Sequence, residues 1–171
     1  MKYLMHAGYD AVAEAERLCA AVAQEEKNGN TTTALELCSA LLEQYPDYPR
    51  ALHARGVLLK KFGKHDEALE AVSRCCDLYP HYVAGVITLA NLYRTSHEFG
   101  QAESLYKRAL SLDVSAVEAY YGLGLLYRAE YRLNRASTMF RKVLVHDKGC
   151  IPALVGLARC CLEQGKLREA K

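Results

Sequence analysis

The sequence predicts an all-α fold, a right-handed α-α superhelix (solenoid) of stacked helical hairpins. Three observations lead there. Small and apolar residues recur every 34 positions, each repeated unit carries two runs with helical periodicity, and turn residues separate the runs. Ala34, Ala68, Ala102, Ala136 and Ala170 mark the spacing. Other phases obey it too. Leu18, Leu52, Val86, Tyr120 and Leu154 are all apolar, and Val22, Gly56, Ala90, Gly124 and Ala158 are all small or short. Cys38, Val72, Tyr106 and Phe140 form an apolar column, as do Leu41, Cys75, Ala109 and Val143.

These columns divide the chain into units 15–48, 49–82, 83–116 and 117–150 and a partial unit 151–171, with residues 1–14 as an N-terminal extension or cap. Ala11, Ala13, Ala15 and Leu18 start the first helix early, near Asp10, and leave Met1 to Tyr9 as a cap or tail. Asn28-Gly29-Asn30 bends that helix into a second, which Tyr45-Pro46 closes, because the residue before proline avoids helical backbone. The second unit repeats this with a turn at Phe62-Gly63-Lys64 and an end at Tyr79-Pro80. In the third, Val86, Leu89, Ala90 and Tyr93 share one face, His97-Glu98 interrupts, and Ala102, Leu105, Tyr106 and Ala109 share the next. Asp47, Asp113 and Asp147 fall between units, and Gln164-Gly165-Lys166 predicts one more turn. The chain ends at Ala170-Lys171, inside an expected second helix, as a piece of a longer array would. Gly56, Gly124 and the alanine column allow close helix approach, and stacking buries stripes that one hairpin leaves open.

Composition narrows the function. In 171 residues, 51% are hydrophobic and 25% charged, a globular balance. The net charge of +2 is too weak to imply nucleic-acid or membrane-surface binding on charge alone. No apolar run is long enough to span a membrane and no secretory leader is legible, so the chain reads as cytoplasmic. Seven cysteines, with adjacent pairs Cys75-Cys76 and Cys160-Cys161, fit reduced thiols acting as small hydrophobes better than disulfides.

The pattern resembles the tetratricopeptide repeat (TPR) family, whose repeats place a large apolar residue, Leu-Gly, Tyr, Ala, an aromatic, Ala and Pro at set positions. Unit four carries Tyr120, Leu123-Gly124, Tyr127, Ala136 and Phe140; unit three carries Leu89-Ala90, Tyr93, Ala102, Tyr106 and Ala109. Departures are Glu25 at a tyrosine position, Arg55 at a leucine position, and Val114 and Lys148 at the proline position.

No phosphate loop, zinc-protease motif or nucleophile elbow is present, so no catalytic residue, cofactor or metal ligand is assigned and the chain reads as a non-enzyme. His146 and Cys150 are four apart but flank the turn Asp147-Lys148-Gly149, a poor metal geometry. Arg74, Arg108 and Lys142 share a phase near the ends of second helices, where cations favour the helix dipole.

The resemblance implies a protein–protein interaction scaffold in which the first helices line a concave groove. At those phases stand Cys19, His53, Ile87, Tyr121 and Val155; then Ala23, Val57, Asn91, Leu125 and Arg159; then Glu26, Lys60, Arg94, Arg128 and Leu162. An apolar strip with a basic margin predicts a bound peptide that is apolar and carries acidic residues. The partner-binding residues so assigned are His53, Val57, Lys60, Ile87, Asn91, Arg94, Tyr121, Leu125, Arg128 and Val155. Burial of the same side chains between adjacent first helices is the equal alternative. Co-chaperone relatives grip a chaperone's C-terminal acid through Lys and Asn. Here those phases hold Cys19, Ala23, Ala54, Ala84 and Thr88, or His53, Val57, Thr88, Glu118 and Gly122, which argues against that partner. The Asn ladder of the sugar-transferring relatives is replaced by Ala20, Ala54, Thr88, Gly122 and Gly156. Two further readings are a substrate-recruiting arm of a larger enzyme, and self-association through an open C-terminal end at Leu154, Leu157 and Leu167.

Overall fold

The alanine and aromatic columns become the buried seams of paired helices. A computed structural model describes residues 9–169, with side chains described for 11–165. Among the described residues the regular structure is entirely helical: α1 (Tyr9–Lys27), α2 (Thr31–Gln44), α3 (Pro49–Lys61), α4 (His65–Leu78), α5 (Val83–Thr95), α6 (Phe99–Leu112), α7 (Val117–Ala129), α8 (Leu133–His146) and α9 (Ile151–Glu169). The early start of the first helix is found at Tyr9; the cap or tail expected before it lies outside the described residues. The chain divides into two units, with the boundary inside α5 between Thr88 and Leu89.

In the first unit α1 packs on α2, α2 on α3, α3 on α4, and α1 also touches α3. Ala34, Cys38, Leu41, Ala51, Ala68, Val72 and Cys75 are wholly buried there. Gly56 is obligatory, because a Cβ on it would stand 2.1 Å from Val72 Cγ2. The Cys38 thiol donates to the Ala51 carbonyl at 3.2 Å, and burial pushes its pKa up to about 12. It therefore remains a protonated, unreactive filler of the core.

The second unit repeats the scheme with α6 on α7, α7 on α8, α8 on α9, and α7 touching α9. Ala102, Tyr106, Ala109, Ala119, Leu126, Ala136, Phe140 and Ala153 are fully buried. Full burial of a ring such as Phe140 contributes about 2–3 kcal/mol.

Four interhelical turns share one geometry. Lys64 N–H reaches the Leu59 carbonyl and Gly63 N–H the Lys60 carbonyl, each at 3.0 Å. The same pair of bonds joins 25–30, 93–98 and 127–132. This is the Schellman ending, which requires a left-handed residue. Gly29 and Gly63 occupy it in the first unit, at φ +82 and +74. His97 and Tyr131 occupy it in the second, at φ 63 and 57, despite their side chains. Between hairpins, Asp113 Oδ1 accepts from Ser115 N at 2.8 Å and Asp147 Oδ1 from Gly149 N at 2.9 Å, which closes local turns.

One expected turn is absent. Gln164-Gly165-Lys166 is helical, and α9 runs on to Glu169. A single glycine costs a helix only about 1 kcal/mol, and Leu162, Glu163, Gln164, Lys166 and Arg168 around it are strong helix formers. Continued helix satisfies its backbone groups instead. Leu154 is 45% exposed, whereas Leu52, Val86 and Tyr120 at its phase are buried. The side chain of Leu167, assigned to the open end, lies outside those described.

Candidate functional site

In the first unit the candidate side chains extend from α3 and the start of α5. Half-buried His53 places Nε2 2.8 Å from Thr88 Oγ1, and its ring meets Tyr82 edge-on at 5.6 Å. Burial lowers its pKa below the ordinary 6.5, opposed by the charge of Glu26. Val57 is half-buried and Lys60 exposed. Ile87 is 8% exposed and Cys19 6%, so these two members of the phase are core, whereas His53 is half-buried. The N-terminal side is a polar lock in which Glu16 accepts from both Tyr48 and Arg50.

The second unit gathers more of the assigned residues. Asn91 and Arg94 come from α5, three residues apart and so on one face; Tyr121, Leu125 and Arg128 come from α7 at spacings of four and three. All five are half-buried. Tyr106 of α6 ties the two helices together. Its hydroxyl donates to Asn91 Oδ1 at 2.7 Å, Arg94 bonds the same phenol, and its ring lies over Gly122 of α7. Burial raises the Tyr106 pKa, and Arg94 opposes the rise. The Tyr121 ring leans on Phe140 with centroids 5.9 Å apart.

From α9, Glu163 approaches Arg128, with Nη1 to Oε1 at 3.3 Å. Val155 is 45% exposed and Leu162 67%. Arg94 and Arg128 share a further property: Nε of each is shut off from solvent and, among the described residues, has no acceptor. A buried donor without a partner costs about 1–3 kcal/mol, and the outer Nη donors of these half-buried guanidinium groups meet an acceptor with less competition from water than an exposed lysine does.

Sequence reasoning missed Tyr106 and Glu163. The signal for Tyr106 was legible, since Gly122 and Gly156 share a phase that faces the aromatic column of Tyr106 and Phe140. Glu163 gave none, because its pairing depends on how α9 packs beside α7.

A family model described as the Psidin N-terminal TPR repeats region matches residues 16–137. No curated protein matches the chain significantly by sequence. Among solved structures, TTC0263, a thermophilic TPR protein of Thermus thermophilus, is similar with a TM-score of 0.79 at 23% identity, over 91% of this chain and 86% of that one. Cut9–Hcn1, an APC/C hetero-tetramer, gives 0.78 at 18% identity, over 84% of this chain and 29% of that one. The first TPR of Spaghetti (RPAP3), bound to the HSP90 peptide SRMEEVD, gives 0.65 at 25% identity, over 68% of this chain and 93% of that one. These likenesses bear out the all-α TPR fold class.

Proposed function

The chain belongs to the TPR family of the Psidin N-terminal repeats region, a protein-interaction scaffold, and on that premise we propose that its first helices hold a peptide segment rich in apolar and acidic residues. The observation that carries this reading is the pair of half-buried guanidinium groups, Arg94 and Arg128, each with an Nε–H lacking an acceptor among the described residues, together with half-buried Tyr121 and Leu125, which precede Arg128 on α7 at helical spacing. A peptide carboxylate supplies the acceptor and an adjoining apolar residue covers the ring. Arg128 already faces Glu163, which leaves Arg94 as the stronger anchor. Asn91 and Val155 flank this stretch; His53, Val57 and Lys60 are its counterparts in the first unit, with Ile87 as core beneath. On this reading the chain binds and does not catalyse.

Panning a random displayed-peptide library against the chain tests the reading. Enriched peptides are expected to combine Asp or Glu with an apolar neighbour and to lose about tenfold or more in affinity for a folded Tyr121→Ala/Arg94→Glu variant. Equal binding by that variant, or enrichment without acidic bias, overturns the reading. Association of the chain with itself in place of peptide capture would favour the exposed face of α9, where Ile151 is 70% and Leu162 67% exposed.

A further inference from the structure

Arg55 stands at a phase where the first hairpin carries Ala21 and the later ones carry Leu89, Leu123 and Leu157. At its phase, Leu89 is 7% and Leu123 3% exposed, whereas Arg55 is exposed. The surroundings of the two positions differ in a second way. In the second unit, Leu123 is buried beside Tyr120, and Lys142 of α8 sits 4.9 Å over the Tyr120 ring. In the first unit the place of Tyr120 is taken by the smaller Leu52, and that of Lys142 by Arg74 of α4. A ring and a leucine are thus both missing. In their place is a groove of about 280 Å³ lined by Ser39, Leu42, Glu43, Pro46, Leu52, Arg55 and Arg74.

The chemistry of the groove is asymmetric. Leu42, Pro46 and Leu52 supply apolar wall. Arg74 donates to Asp47 Oδ1 at 2.8 Å, one of the five N–H donors that a guanidinium carries. Among the described residues no carboxylate forms an ion pair with Arg55. Glu43 also lines the groove and repels an anion from its own side, so a carboxylate is directed to the two arginines. The volume falls at the lower end for ligand pockets and suits one or two side chains rather than a cofactor.

We infer that this groove, on the α2–α3–α4 side of the first unit and separate from the first-helix face, is a second peptide site. It takes a carboxylate side chain at Arg55 and Arg74 with an adjoining apolar side chain against Leu42, Pro46 and Leu52. An arginine here, where Leu89 and Leu123 are buried in later hairpins, gives up apolar burial for recognition.

The position makes a clean test, because Arg55→Leu introduces the residue found at the matching positions 89 and 123 and is expected to fold at least as stably as the parent. The probe is the acetylated, amidated peptide Gly-Asp-Phe-Glu-Gly, titrated into the isotope-labelled full chain and followed by amide chemical shifts. Saturable shifts centred on Ser39, Leu42, Arg55 and Arg74 are expected. They should weaken about tenfold in Arg55→Leu, strengthen in Glu43→Gln, and vanish when the peptide acids are replaced by amides. Shifts centred on Asn91, Arg94 and Tyr121 alone would support the first-helix site and overturn this one. Unchanged titration of Arg55→Leu, or no saturable shift, overturns it as well.

Discussion

The Tyr106 ring occupies the space above Gly122, with Cε1 2.4 Å from where a Cβ would stand. The ring itself cannot retreat freely, because it is fully buried and its hydroxyl is bonded to Asn91. Alanine normally improves a helix over glycine by about 1 kcal/mol. Here the overlap with a fixed ring costs about 1–3 kcal/mol, so Gly122→Ala is expected to destabilise. Gly100 in α6 is the control, since nothing lies within 4 Å of its Cβ position. Gly100→Ala should stabilise by about 0.5–1 kcal/mol. Urea denaturation followed by circular dichroism reads both, and equal signs would refute the packing argument.

Tyr131 holds a left-handed backbone at φ 57 while its side chain is 74% exposed. The strain brings little packing in return. Tyr131→Gly places at that turn the residue that Gly29 and Gly63 already supply in the first unit. A gain of about 1 kcal/mol is expected, and Gly63→Ala should lose a similar amount. Thermal unfolding of both variants checks the pair. A less stable Tyr131→Gly would show that the ring contributes contacts beyond those visible at its surface.

His53 gives the first unit a pH dependence. Burial holds its folded pKa below the ordinary 6.5. Above pH 6.5 the ring is neutral in both folded and unfolded chains, and its full contribution to stability is present. As pH falls below 6.5 the unfolded chain takes up the proton first, and stability is lost down through the folded pKa. His53→Gln should flatten the decline in unfolding free energy between about pH 7.5 and 5.5. A decline of the same slope in the variant would assign it to other groups.

Much was determined by the sequence alone. A 34-residue spacing without insertion forces like residues onto like faces, so the helical hairpins, the buried columns at Ala34, Cys38 and Leu41, and the turns at Gly29 and Gly63 followed from local rules. Which candidate residues share a helix face was also legible, because helical periodicity assigns a face. What periodicity does not assign is the neighbour on that face. Ile87 and Tyr121 share a phase, yet one is core and the other half-open. Arg128 meets Glu163, 35 residues away, only once α9 lies beside α7. Arg55 departs from the repeat pattern in sequence, and only the tertiary structure sets it on one groove with Arg74. The left-handed turns at His97 and Tyr131 carry no glycine to announce them. They are imposed by the packing of the helices on either side, which outweighs the roughly 1–2 kcal/mol preference of the residue itself. Local propensity and spacing act within one helix and are written in the chain. Exposure, unpaired donors and cavities are properties of several helices meeting, and only the tertiary structure decides them.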